Sequence, residues 1–210
     1  MKFIRKTIAL LLVVLCFASV SFAEPGANVN LTTDQYTAMN LFLSNFTEIG
    51  VDEIDPCPED IDLVDFAHDH LWFNFYESYE YGEYANDIIC RFSDDRIQAI
   101  IDEYFYNPKT VDLSQTRFDY DGEYYYHCET GGWTNDGFAL TASVTPLSND
   151  QYFVAFMSFG SGSFWENDAL SMTFAEAWEE FDAPTGYGHA VVYATDLADR
   201  STYKMVSYNA

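Results

Sequence analysis

The chain has 210 residues, with 34 Asp and Glu against 9 Lys and Arg and a formal charge of −25. So negative a chain repels nucleic-acid phosphates and anionic lipid headgroups, so neither nucleic acid nor a membrane surface is an expected partner. An aromatic content of 18% excludes an acidic disordered chain and supplies a core for one domain.

Residues 1–23 read as a secretory signal peptide, to be set aside from the fold. Lys2, Arg5 and Lys6 form its basic start, Ile8 to Phe17 is an apolar run, and Ser21 and Ala23 occupy the −3 and −1 positions of a cleavage site. The uncharged stretch from Thr7 to Ala23 falls short of a span of about 20 residues. Cys16 is preceded by Leu15, which excludes a lipoprotein signal. Cleavage before Glu24 removes three basic residues and no acidic one, leaving 34 acidic side chains against 6 basic. The expectation is a protein secreted or held at the cell wall, with residues 24–210 as a single α+β domain and no membrane contact after cleavage.

Three helices come first. Thr32-Thr33-Asp34-Gln35 resembles a capping box and opens a helix to about Phe46, with Tyr36, Met39, Leu43 and Phe46 at helical spacing. An acidic loop, 51–62, leads to Pro58 at the first turn of a second helix, with Ile61, Val64, Ala67 and Leu71 as its stripe. A tyrosine-rich stretch, 75–84, shows no clean period. Ser93 then caps a third helix, with Asp94 and Asp95 at its positive end, Ile97, Ile100, Ile101 and Tyr104 on its apolar side, and Pro108 beyond its end.

From about residue 116 the pattern turns to strands. Asp121-Gly122 between aromatic flanks predicts a hairpin. Residues 138–147 and 151–159 form a second pair, and Thr173 to Glu176 looks like another capping box opening a short helix to Phe181. Residues 189–194 and 203–208 close the sheet. Helices followed by a meander predict an α+β fold, with three N-terminal helices packed on one face of a curved antiparallel five- or six-stranded sheet and one short helix inserted before the last two strands. Phe42, Phe46, Val64, Ile97, Ile100 and Ile101 are expected to be buried together.

LFLSNFTE (41–48), DFAHDHLWFN (65–74), the acidic-capped helix from Ser93 and YDGEYYY (120–126) occur in that order. This pattern resembles a set of uncharacterised exported proteins of clostridia-like Gram-positive bacteria. The resemblance places His70 where the related proteins also carry His, and it implies export without implying an activity. In export and in the order of helices before sheet, the chain is also similar to secreted inhibitors of peptidoglycan DL-endopeptidases, although no functional residue of those inhibitors maps onto a position here.

Cys57, Cys90 and Cys128 are an odd set, so at most one internal disulfide forms and the pairing stays open. Asp65, His68 and Asp69 share one helix face below Trp72, half of a metal or general-base site, whereas a solvated face is the commoner outcome of such a pattern. His70, two residues on, faces elsewhere and reads as a capping or packing residue. Cys128 with His189 is a conceivable nucleophile–base pair, outweighed by a buried structural thiol. Asp119 to Glu123 superficially resembles a calcium loop, which the Asp-Gly turn explains better. No phosphate loop, dinucleotide fingerprint, serine elbow or zinc motif is present, and no cofactor is implied.

Two features remain as binding candidates: the acidic cluster Asp52, Glu53, Asp55 and Asp60, and the aromatics Trp133 and Trp165 in glycine-rich segments. The favoured expectation is a non-enzymatic acidic binding protein for a basic extracellular or cell-wall protein. A carbohydrate-binding module using the two tryptophans and a small secreted hydrolase are the alternatives.

Overall fold

The computed structural model describes residues 28–75, 79–108, 110–127, 137–160 and 168–210. The signal-peptide expectation, Cys128, Trp133 and Trp165 lie outside the described residues. The fold is α+β, with four α-helices and two antiparallel sheets among the described residues.

Helix α1 spans Thr33–Thr47. Thr32 Oγ1 accepts from Gln35 N, and the Gln35 side chain accepts from Thr32 N at 3.0 Å, the reciprocal cap its sequence predicts. Gly50, at φ 72°, ends it. Strand β1 (Glu53–Ile54) and helix α2 (Asp60–Asn74) follow. Pro58 lies two residues ahead of α2, outside its predicted first-turn place, and Glu59 is the N-cap. The tyrosine-rich stretch contains β2 (Glu80–Tyr84), which turns through Ala85-Asn86, both at positive φ, into β3 (Asp87–Ser93). Ser93 holds the N-cap position of helix α3 (Asp94–Tyr104), without a capping hydrogen bond from its side chain. Strands β4 (Asp119–Tyr120) and β5 (Tyr124–His127) form the predicted hairpin. Only Gly122 of its Asp-Gly pair has positive φ, and Asp121 instead carries the turn by accepting from Glu123 N and Tyr124 N. Strands β6 (Gly137–Pro146) and β7 (Gln151–Gly160), helix α4 (Phe174–Glu180), and strands β8 (Gly186–Tyr193) and β9 (Lys204–Asn209) complete the described chain. The Thr173–Glu176 capping box is formed as read.

The finer expectation of a single sheet is corrected. A five-stranded sheet, β1-β9-β8-β7-β6, stands beside a four-stranded sheet, β2-β3-β5-β4. The division arises because the β4–β5 hairpin pairs with β3 rather than with β6. Helices covering one face alone is corrected too. Phe138, Leu140, Met157 and Phe159 point away from the main core and are buried with Ala177 of α4. Both faces of β6 and β7 are therefore apolar, as their near-continuous hydrophobic runs require.

One core takes residues from both sheets and from α1, α2 and α3. All six residues expected there, Phe42, Phe46, Val64, Ile97, Ile100 and Ile101, are buried in it. At its centre Phe46 stacks on Phe66 at 4.5 Å and on Tyr208 at 5.4 Å, and meets Phe105 edge-on. Helix α1 also runs along β6, an edge strand whose outer N–H groups need acceptors. Asn40 Oδ1 accepts from Thr141 N at 2.7 Å and Ser44 Oγ accepts from Ala139 N at 3.0 Å. These contacts explain two polar side chains buried on an otherwise apolar helix face.

Candidate functional site

The acidic loop leaves α1, pairs briefly with the last strand as β1 and enters α2. Asp52, Glu53 and Asp55 are exposed, and their side chains make no ion pair or hydrogen bond among the described residues. Asp60 has a different role. Its Oδ2 accepts from Asp112 N at 2.9 Å and ties the start of α2 to the segment after α3. Of the four acidic candidates, three thus present charge to solvent and one holds the fold.

Directly after these carboxylates the chain turns apolar. Pro56, Cys57 and Pro58, Leu63 of α2, Phe105, Tyr106, Asn107 and Pro108 after α3, and Met205 and Val206 of β9 line a cleft of about 170 Å³. Its shape follows from local sequence. Tyr106 N donates to Met205 O at 2.9 Å, holding the chain beside β9 once α3 has ended. Asn107 at φ 44° and Pro108 then turn it away. The two prolines around Cys57 leave no backbone N–H at their own positions and keep that segment out of the sheet. Cys57 is an exposed free thiol at the cleft, and Cys90 is buried.

Charge around the cleft is one-sided. Asp55 and Glu59 adjoin its lining in the chain, and both are exposed. Lys204 adjoins it too, but its ammonium donates to Asp102 O and Glu103 O at 2.7 Å each, at the C-terminal end of α3. Lys109, next to Pro108 in the chain, lies outside the described residues. Elsewhere Arg91 pairs with Glu80 at 3.9 Å and lies over the Tyr124 ring, and Arg117 binds Asp65 and Asp69. These cations are engaged away from the acidic loop.

The Asp65–His68–Asp69 face is neither a metal half-site nor a solvated face. Asp65 Oδ1 accepts from Thr116 Oγ1 at 2.8 Å and from Arg117 N at 3.1 Å, and Asp69 binds the Arg117 guanidinium, so the two carboxylates clamp the loop before β4 onto α2. His68 is fully buried in a column of near-parallel rings: Phe118, His68, His127, Trp72 and Tyr79, with successive centroids 3.5, 5.1, 3.7 and 4.9 Å apart. Among the described residues neither ring nitrogen of His68 has a hydrogen-bond partner, and Asp69 Oδ1 stands 3.6 Å away, beyond bonding reach. Burial holds the His68 pKa below its ordinary value despite that carboxylate, and burial with the neighbouring imidazole lowers His127 to about 4. Both imidazoles pack within this column of rings. Among the described residues no three His, Cys, Asp or Glu side chains are placed to hold a metal ion, and no helix is long and apolar enough to cross a membrane.

His70 faces the other way, as its spacing predicts. It is buried beside Tyr104, and its Nδ1 lies 3.1 Å from Asn74 Nδ2, which also donates to Glu48 Oε1 at 2.7 Å. Burial raises Glu48 to about 7 and lowers His70 to about 3. Phe75, the C-cap residue of α2, is 41% exposed. His189 stacks on Phe153 in the five-stranded sheet, whereas the strand leading to Cys128 belongs to the other sheet.

The cleft itself escaped the sequence reading, because its walls come from three segments more than 40 residues apart. The local signs were Pro-Cys-Pro inside an acidic run and Tyr-Asn-Pro after a helix. Comparisons with family models, with curated proteins and with solved structures find no match.

Proposed function

We propose that this is an exported, non-enzymatic binding protein that engages a basic protein outside the cell or at the cell envelope through its acidic 52–62 segment. The observation that carries this reading is the local imbalance of charge. Among the described residues Asp52, Glu53 and Asp55 stand exposed and unpaired, while Arg91 and Arg117 are paired with carboxylates elsewhere. Uncompensated carboxylates on one segment sum to a local negative field, which attracts and orients a basic partner. The stacking of His68 and His127 within the ring column, with both held neutral, agrees with packing roles for them. The carbohydrate alternative rests on Trp133 and Trp165, which lie outside the described residues.

The test is a paired capture from culture fluid and cell-wall extract, with the wild-type chain and with D52N/E53Q/D55N as baits. A basic protein retained by the wild type at about 0.05 M salt, released at about 0.5 M, and absent from the variant supports the reading. Equal recovery on both baits contradicts it.

A further inference from the structure

We propose that the cleft beside the acidic loop seats one large apolar side chain of a basic protein segment, with lysines or arginines on either side of that anchor. This rests on the electrostatic reading above and adds what the partner must carry. The cleft has a volume of about 170 Å³, below the roughly 300–1,000 Å³ of sites that take whole small molecules, so it fits a single side chain. Its lining is apolar at Leu63, Phe105, Met205 and Val206, so an uncharged aliphatic or aromatic group fills it with least cost. Its border carries carboxylates: Asp55 and Glu59 flank the Pro-Cys-Pro wall in the chain, Glu53 precedes it on the edge strand β1, and Asp52 lies just before that strand. The neighbouring Lys204 directs its ammonium to the carbonyl oxygens at the end of α3. Apolar depth with an acidic edge is complementary to an apolar anchor between cations, and it repels the same anchor between carboxylates.

Cys57 supplies a built-in reporter, because its exposed thiol is part of the lining and an occupant must cover it. The experiment uses three synthetic peptides: one leucine between lysine pairs, one glycine between lysine pairs, and one leucine between glutamate pairs. Binding is measured by calorimetry, and the alkylation of Cys57 by iodoacetamide is followed by peptide mass so that the other cysteines do not contribute. The leucine–lysine peptide is expected to bind at least about tenfold tighter than its glycine counterpart and to slow Cys57 alkylation at saturation, and the glutamate peptide to do neither. C57W, which fills the cleft from its rim, is expected to lower affinity for the leucine–lysine peptide to that of the glycine peptide while its circular dichroism stays that of the wild type. If the two lysine peptides bind alike and neither protects Cys57, the anchor cleft is overturned while the electrostatic reading stands. If neither lysine peptide binds, both fall.

Discussion

Glu48 shows how burial decides the behaviour of a single residue. Glu48 is the C-cap residue of α1, its backbone N–H donates to Ser44 O, and its buried carboxyl accepts from Asn74; burial raises it from 4.5 to about 7. Between those values the folded state holds a proton that the unfolded state releases. The stability tied to this proton is therefore fully present below pH 4.5 and is lost as pH rises through 7. Glu48→Gln keeps an oxygen for Asn74 and removes the charge. It is expected to stabilise the protein by about 1–3 kcal/mol at pH 8 and to change little at pH 4, as read by urea unfolding. His70 and His127 act in the opposite sense. Both are held neutral, at about 3 and about 4, so the unfolded state gains protons first as pH falls below 6.5. Wild-type stability is expected to pass through a maximum with pH, whereas Glu48→Gln should fall steadily on acidification, and a Glu48→Gln profile with the wild-type maximum would contradict the assignment. None of this was legible in the sequence. Glu48 stands beside a helix end like many exposed glutamates, and only the packing of Asn74 against it reveals that it is buried.

Among the elements, the helices with strong caps were the most readable. Thr32 and Thr173 each announce a box that forms, because capping is a local exchange of two hydrogen bonds within four residues. The sheets were less readable, since which strands pair is settled by contacts far apart in the chain. The tyrosine-rich stretch conceals β2, one face of which carries Glu80, Gly82 and the half-buried Tyr84 and the other Glu83 and Tyr81, which is 63% exposed, so no alternation of polarity marks it. Two substitutions test the packing between elements. Gly188 lies on β8 where a Cβ would meet Phe156 at 2.3 Å and the Asn209 carbonyl at 2.5 Å. Gly188→Ala is expected to cost about 1–3 kcal/mol, and thermal unfolding within error of the wild type would show that β8 and β9 do not approach so closely. Phe46, held between Phe66, Tyr208 and Phe105, is expected to cost about 3–5 kcal/mol as Phe46→Ala. At the edge of the large sheet, Asn40→Ala leaves the buried Thr141 N–H without its acceptor and should cost about 1–3 kcal/mol. Hydrogen exchange at Thr141 should then rise more than exchange at Val154 on the neighbouring strand.

Across the whole molecule, the excess of 34 acidic over 9 basic residues is a property of composition that sequence reads directly, but its placement is not. The acidic segment was visible as a run of carboxylates. That Asp60 is used to hold Asp112 while Asp52, Glu53 and Asp55 stay exposed follows from the tertiary arrangement alone. The same holds for the cleft, whose three walls meet only once β9 lies beside the chain that leaves α3. The central claim is that the exposed carboxylates of the 52–62 segment guide a basic partner to this end of the molecule. The most direct test is the association rate of the captured partner with the wild type and with D52N/E53Q/D55N between about 0.05 and 0.5 M salt, a range over which the screening length shortens severalfold. The expected result is a wild-type rate that falls steeply with salt, a variant that starts slower and falls less, and equal circular dichroism for the two proteins. A rate that ignores both salt and the three substitutions would contradict the claim.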